Sequence, residues 1–223
     1  MAFDAVIVAA GSSTRFGERD KLSAELAGRP VLAWSLAAFE AAPGLGCLVI
    51  VAAPERIEEV AALAGSWCQK ACFRVIEGGV RRRDSVEAGL RQCTARYVAI
   101  HDGARPMVTP ALIARVLAAA EGKPGAIAAT PVTDTIKEVS GATITGHPDR
   151  SRLWAAQTPQ IVLRQAWLDA AAVGDSDETD DAAMLSRLGL DCVVVDAGPE
   201  NLKITRPLDL EVASAILRNR ETA

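Results

Sequence analysis

The chain has 223 residues, half of them apolar and 23% charged, with 17 Gly and 11 Pro. That balance excludes disorder and collagen-like structure and leaves enough apolar residues for the core of one α/β domain over 1–223. Twenty-four Lys plus Arg against 28 Asp plus Glu give a net charge of −4, without the basic excess that a nucleic-acid partner requires.

The start, MAFDAVIVAAG, has an acid and no basic run before its short apolar stretch. No segment approaches the roughly eighteen apolar residues of a membrane span, so a cytoplasmic protein with no membrane partner is expected. Five cysteines stand in no CxxC or Cys/His cluster, which speaks against a disulfide framework or structural zinc.

In chain order, short apolar runs at 4–9, 47–52, 72–76, 97–101, 125–130 and 191–196 predict strands. Each is too uniformly apolar to have a wet face, as in a parallel sheet covered on both sides. Apolar residues three and four apart over 30–42, 55–65, 84–93, 109–121, 164–173, 179–188 and 207–219 predict helices between and after them. Such a βαβ series makes a doubly wound, mostly parallel sheet, whose ligands sit beyond the carboxyl ends of the strands. One segment breaks the alternation. Residues 133–155, TDTIKEVSGATITGHPDRSRLWA, carry β-branched residues, two glycines and a proline and predict a protruding β-hairpin arm.

The first strand runs into AAGSSTRFGERDK, which places Gly11, Arg15 and Lys21 in one strand-to-helix loop. Backbone N–H groups freed by small residues can face an anion there, and the two cations suit a polyphosphate. The loop is neither GxGxxG nor GxxxxGK followed by Ser or Thr. In GGVRRRDSV, residues 78–86, the glycines let backbone approach a flat base and Ser85 offers a hydroxyl. Adjacent arginines cannot all point into one site, so at least two of Arg81, Arg82 and Arg83 are expected on a solvated face.

HDGARP, residues 101–106, brings Asp102 and Arg105 to the same sheet edge, suited to a divalent metal or ribose hydroxyl and to a phosphate. The His101–Asp102 pair does not signal hydrolysis, because no GxSxG elbow accompanies it. His101 is expected to be a packed strand-end residue. WAAQTPQ at 154–160 and NLKITRPLDL at 201–210 are polar stretches flanked by apolar ones, and Lys203 reaches the same edge if the last strand is parallel. Thr179 precedes Asp180 and Asp181 and has a strong reading as a helix N-cap.

The ordered set AAGSSTRFG with Lys21, GGVRRRDSV, HDGARP, DTIK, R-x-x-LWAAQTPQ, TDDA and NLKITRP resembles the 2-C-methyl-D-erythritol 4-phosphate cytidylyltransferases of the non-mevalonate isoprenoid route, along nearly the whole chain. The resemblance implies a Rossmann-like nucleotidyltransferase domain, a homodimer joined through the arm, that transfers CMP from CTP to methylerythritol phosphate with Mg²⁺ or another divalent cation. It implies that Arg15 and Lys21 stabilise charge on the CTP phosphates, with Arg150 and Lys203 completing the catalytic set. Ala9, Ala10, Gly11, Gly79 and Ser85 then cradle the nucleotide. Asp102, Arg105, Thr135, Thr158 and Thr179 bind or orient methylerythritol phosphate, Thr135 and Arg150 arriving from the partner's arm, and Asp102 is the carboxylate nearest the metal. One departure is that Lys21 sits in DKLSAEL where the family usually has proline before the lysine and glutamine after it. A cytidylyltransferase for another polyol phosphate, such as ribitol 5-phosphate, would share the CTP motifs. A non-catalytic nucleotide-binding module would keep the glycines yet could lose Arg15, Lys21 or Lys203, all present here.

Overall fold

The computed structural model describes residues 1–11, 16, 20–174 and 177–221. The chain lays down β1 (Phe3–Ala9), a small ladder of β2 (Glu25–Leu26) and β3 (Arg29–Pro30), α1 (Val31–Glu40), β4 (Leu45–Ala52), α2 (Ile57–Trp67), β5 (Cys72–Glu77) and α3 (Arg82–Gln92). It continues with β6 (Tyr97–Asp102), α4 (Pro110–Ala120), β7 (Gly125–Pro131), β8 (Glu138–Ser140) and β9 (Thr143–Gly146). β10 (Trp154–Leu163), α5 (Arg164–Ala172), α6 (Asp181–Ser186), β11 (Val193–Asp196) and α7 (Pro207–Glu221) complete it.

Seven strands form one sheet in the order β11-β7-β10-β6-β1-β4-β5. All pair in parallel except β10, which runs antiparallel to both β6 and β7. Strand periodicity of two splits the apolar side chains between two layers. Phe3, Ala5, Ile7, Leu48 and Ile50 pack with α1, α2, α4 and α7, whereas Val6, Val49, Val51 and Ile100 pack with α3, α5 and α6. This double burial is why the strands read as unbroken apolar runs. α4 starts where Thr109 caps it, its hydroxyl accepting from the Leu112 N–H at 3.1 Å, with Pro110 supplying a first residue that needs no donor.

Each of the six predicted strands and seven predicted helices has its counterpart, with ends shifted by a few residues. The seventh sheet strand, β10, was hidden because its middle, Gln157–Thr158–Pro159–Gln160, is polar and carries a proline. Its hydrogen-bonding register with β7 breaks between Ala156 and Gln160, a bulge that tolerates such residues. The arm is a two-stranded hairpin of β8 and β9 outside the main sheet. It is shorter than 133–155, because Trp154 and Ala155 already belong to β10. Among the described residues, no helix is long and apolar enough to cross a membrane.

Candidate active site

The parallel register brings the ends of β1 and β6 side by side, with Val8 opposite Asp102, so Ala9–Gly11 and Asp102–Ala104 leave the sheet as neighbours. On the other side, the Gly78 N–H donates to Ala52 O at 2.8 Å and carries the β4–β5 ladder past the end of β5. A Cβ on Gly78 would overlap Ala10 Cβ and Ser85 Oγ, and one on Gly79 would overlap Asp84. Only glycine lets these loops approach so closely. Ser85 fixes the loop further, its hydroxyl oxygen accepting from the Gly79 N–H at 3.0 Å. The result is a cleft of about 420 Å³ that gathers Ala9, Ala10, Gly11, Gly79 and Ser85 with Lys21, Arg81, Arg82, Asp102 and Lys203.

A second cleft of about 290 Å³ adjoins it, walled by Arg82, Asp102, Arg105, Thr158, Thr179 and Lys203 together with Gln157 and Gln160. The β10 bulge, which includes a cis Thr158–Pro159 peptide, turns Thr158 inward to accept from the Asp102 N–H at 3.1 Å. Lys203 arrives on the loop after β11, which is parallel to β7 as the edge placement required. That loop is pinned by Ile204 N–H to Ala104 O at 2.7 Å, and by Asn201, whose amide donates to Gln157 Oε1 at 2.8 Å and Thr158 O at 2.9 Å.

Arg82, Asp102 and Lys203 border both clefts. Lys203 Nζ donates to Asp102 Oδ2 at 2.7 Å, Arg82 Nε to Asp102 Oδ1 at 3.4 Å, and Arg105 Nε stands 3.8 Å from Oδ2. Burial works against ionising Asp102, but Lys203, Arg82 and Arg105 outweigh it and hold the carboxyl well below the usual range. Burial likewise opposes the charge on Arg82, and Asp181 with Asp102 more than restores it. Asp181 is 1% exposed, accepting from Arg82 Nη2 at 2.8 Å and Trp167 Nε1 at 3.1 Å.

Arg105 O can only accept, so in the neutral ring of His101 the proton sits on Nε2, 3.2 Å from that oxygen, and Nδ1 accepts from the Thr158 hydroxyl at 3.0 Å, while Thr158 Oγ1 also accepts from the Asp102 N–H. Burial pushes His101 down to about 4, and with 0% exposure it is the packed strand-end residue the sequence indicated.

Of the residues named from sequence, all but Arg15, Thr135 and Arg150 line the two clefts. Arg15 lies outside the described residues. Thr135 and Arg150 are exposed on the arm and line neither cleft, with Arg150 Nη1 donating to Thr133 O at 2.8 Å. Lys21 belongs to the first cleft alone. Two expectations need correction. The α6 cap is Asp180, whose carboxylate accepts from the Ala183 N–H at 2.8 Å, which leaves Thr179 to line the second cleft. The arginine triplet is not a solvated face: Arg81 is the N-cap in extended conformation, and Arg82 and Arg83, the first two residues of α3, project about 100° apart. Arg82 enters the site, Arg81 pairs with Asp84 at 2.8 Å, and the buried Arg83 reaches Ala171 O at 3.2 Å.

Sequence reasoning also passed over Asp181, Gln157, Gln160 and Asn201. Gln160 Oε1 accepts from the Asp181 and Ala182 N–H groups and so holds the start of α6. For the two glutamines, the polar centre of the otherwise apolar 154–163 run was the available signal.

A doubly wound sheet with two joined clefts at its carboxyl edge, glycine-walled on one side and lined by cations between them, defines an α/β protein with a ligand site at that edge. The family model for 2-C-methyl-D-erythritol 4-phosphate cytidylyltransferase matches residues 3–219, and the chain belongs to that family. A relative of that name from Prochlorococcus marinus (strain MIT 9313) is 45% identical over 96% of this chain and 98% of its own length. Among solved structures, that of 2-C-methyl-D-erythritol 4-phosphate cytidylyltransferase from Thermus thermophilus matches with a TM-score of 0.78 and 30% identity, covering 98% of this chain and 100% of that one. The fold is also that of 4-diphosphocytidyl-2C-methyl-D-erythritol synthase from Anaerococcus prevotii, at a TM-score of 0.85 and 24% identity over 97% of this chain and 98% of that one.

Proposed function

We propose that residues 1–223 act as one catalytic unit, in which the cleft beside Gly79 and Ser85 holds CTP and the adjoining cleft beside Thr158 and Thr179 holds 2-C-methyl-D-erythritol 4-phosphate. The observation that carries this is the shared wall of Arg82, Asp102 and Lys203 between two clefts of different size and make-up. The reaction is cytidylyl transfer. An oxygen of the acceptor's phosphate attacks the α-phosphorus of CTP, the bond to the β-phosphate oxygen breaks, and pyrophosphate leaves with 4-diphosphocytidyl-2-C-methyl-D-erythritol as product. Substrate supplies the nucleophile, so the chain contributes positioning and charge stabilisation. Lys21 faces the phosphates from the first cleft, and Arg15 is assigned the same charge-stabilising role from its place in the sequence motif. Lys203 and Arg82 hold the two anionic substrates against each other, and Arg105 meets the acceptor's phosphate. His101 lines neither cleft, and this chemistry does not need a protein base.

A divalent cation fits the site in a limited way. Among the described residues no group of three His, Cys, Asp or Glu side chains could hold a metal, but Asp102 Oδ1 has only the 3.4 Å contact with Arg82. One carboxylate oxygen with phosphate oxygens and water is the set Mg²⁺ favours. Bound there, Mg²⁺ would offset triphosphate charge.

The test is pyrophosphate release by the purified protein with Mg²⁺. Release should require CTP over ATP, GTP or UTP and methylerythritol phosphate over ribitol 5-phosphate; equal turnover of the two acceptors would overturn the acceptor reading.

Thr135 and Arg150 are assigned to the partner's site in a homodimer. Support comes from their place on the arm, outside the clefts of their own chain, and from Val139 and Ile144 beside them, 61% and 53% exposed, which a second copy would cover. Arg150→Ala and Lys21→Ala should each be nearly inactive alone. Refolding an equal mixture makes about half the dimers mixed, each with one intact site, so activity should return to roughly a quarter of the parent. Mixed dimers as inactive as their components would end the shared-site reading.

A further inference from the structure

Two of the five cysteines meet at the sheet edge remote from the clefts. Cys47 on β4 and Cys72 on β5 are register partners in the parallel ladder, and their sulfurs stand 3.4 Å apart. Both lie at the amino ends of their strands, whereas Gly78 and Gly79 follow the carboxyl end of β5. Alternation places Cys47 on the face of Val49 and Val51, and Cys72 on that of Arg74 and Ile76, in the layer covered by α3. α3 ends at Gln92, whose Oε1 accepts from Arg74 Nη1 at 3.4 Å, so the helix stops short of covering the pair. Cys72 is exposed and Cys47 half-buried. Nearby Cys93 is buried, with its S–H donating to Gly89 O at 3.4 Å.

The geometry suits a covalent link. Neighbouring strands lie about 4.7–4.9 Å apart, inside the roughly 4.4–6.8 Å between Cα atoms that a disulfide spans. The sulfurs are already in contact and need close only to a bond of about 2.05 Å. β5 is the outermost strand of the sheet, so its first residue can shift without disturbing a neighbour on its far side. Burial first, then Cys72 and Asp4, push the Cys47 thiol up to about 11, which makes exposed Cys72 the residue an oxidant meets first.

We infer that Cys47 and Cys72 are a reversible redox pair, a dithiol that a small disulfide such as oxidised glutathione converts to an intrachain disulfide. The Cys72 thiolate attacks one glutathione sulfur, forming a mixed disulfide and expelling one glutathione thiolate. Cys47 gives up its proton, attacks Cys72 Sγ and expels the second. Two protein thiols are oxidised, one glutathione disulfide is reduced to two thiols, and both protons pass to the departing glutathiones.

The test treats the folded full-length chain with oxidised glutathione, alkylates remaining thiols and maps the products by mass spectrometry. The parent should lose two hydrogens, with the Cys47 peptide joined to the Cys72 peptide, and recover both thiols with dithiothreitol. Cys47→Ser should instead accumulate a lasting glutathione adduct on Cys72, and Cys72→Ser should give no cross-link. Cys47→Ala, checked by its melting temperature, replaces the serine variant if that one folds poorly. Persistent adducts on Cys72 of the parent, full alkylation of every thiol after oxidation, or cross-linking only in urea would each overturn the inference.

Discussion

The two clefts that meet at Asp102 are built in different ways. The larger takes its shape from backbone: Gly78 closes on Ala10 and Gly79 on the start of α3 because they carry no side chain, and Ser85 ties the loop with one hydrogen bond. The smaller is made of side chains drawn from β6, β10, the start of α6 and the loop after β11, and held by Gln157, Gln160 and Asn201. Backbone walls suit the flat base and phosphates of a nucleotide. Side-chain walls suit recognition of one acceptor.

That contrast can be broken or sharpened by substitution. Lys21→Ala removes a cation from the nucleotide cleft alone and should cut kcat by about 10² to 10³ with the fold intact, since its charge is needed most in the transition state. A variant within twofold of the parent in steady-state pyrophosphate release would remove Lys21 from the catalytic set. Arg82→Ala strikes the shared wall, so the Michaelis constants of both CTP and acceptor should rise, with kcat/KM lower by on the order of 10². A rise confined to one substrate would assign Arg82 to one cleft only.

Smaller effects should follow from the supporting bonds. Ser85→Ala leaves the Gly79 N–H without its partner, at a stability cost of about 1–3 kcal/mol. Its CTP Michaelis constant should rise several-fold while the acceptor's holds. Unchanged melting with weakened CTP binding would instead mean that the hydroxyl touches the base directly. Acid should act on the acceptor side. His101 in the unfolded chain takes up a proton below its ordinary 6.5, whereas the buried ring, held near 4, does not. The unfolded state therefore binds more protons over that interval, and stability falls as pH drops from about 6.5 to 4, by at most roughly 3 kcal/mol. Urea midpoints across that range should fall for the parent and less steeply for His101→Asn.

The same division decided what could be read from the sequence. Local rules gave the backbone-built cleft, because glycine pairs and a strand-to-helix turn are continuous in the chain. They also gave the double-sided burial of the strands and the hairpin composition of the arm. They missed β10, whose bulge places Pro159 inside a strand, and they put at least two of three adjacent arginines on a solvated face, whereas the start of α3 buries Arg83 and brings Arg81 and Arg82 to the clefts. Asp181 and Asn201 lie in stretches that the sequence marked, but nothing local gave their roles. Their roles come from partners 99 and 43 or 44 positions away, which only the closed sheet brings together. Lys203 was placed at the sheet edge by its position just beyond the last strand, whereas Thr158 and the substrate role of Thr179 came through the family resemblance rather than through any rule of spacing.

The central claim is that one charged wall divides two substrate clefts, and amide NMR on labelled protein tests it most directly. Titration with a non-transferable CTP analogue should shift Gly11, Gly79 and Ser85, titration with methylerythritol phosphate should shift Thr158 and Thr179, and Asp102 and Lys203 should respond to both. If both ligands move the same residues, or if neither moves Asp102 and Lys203, the two-cleft account is contradicted.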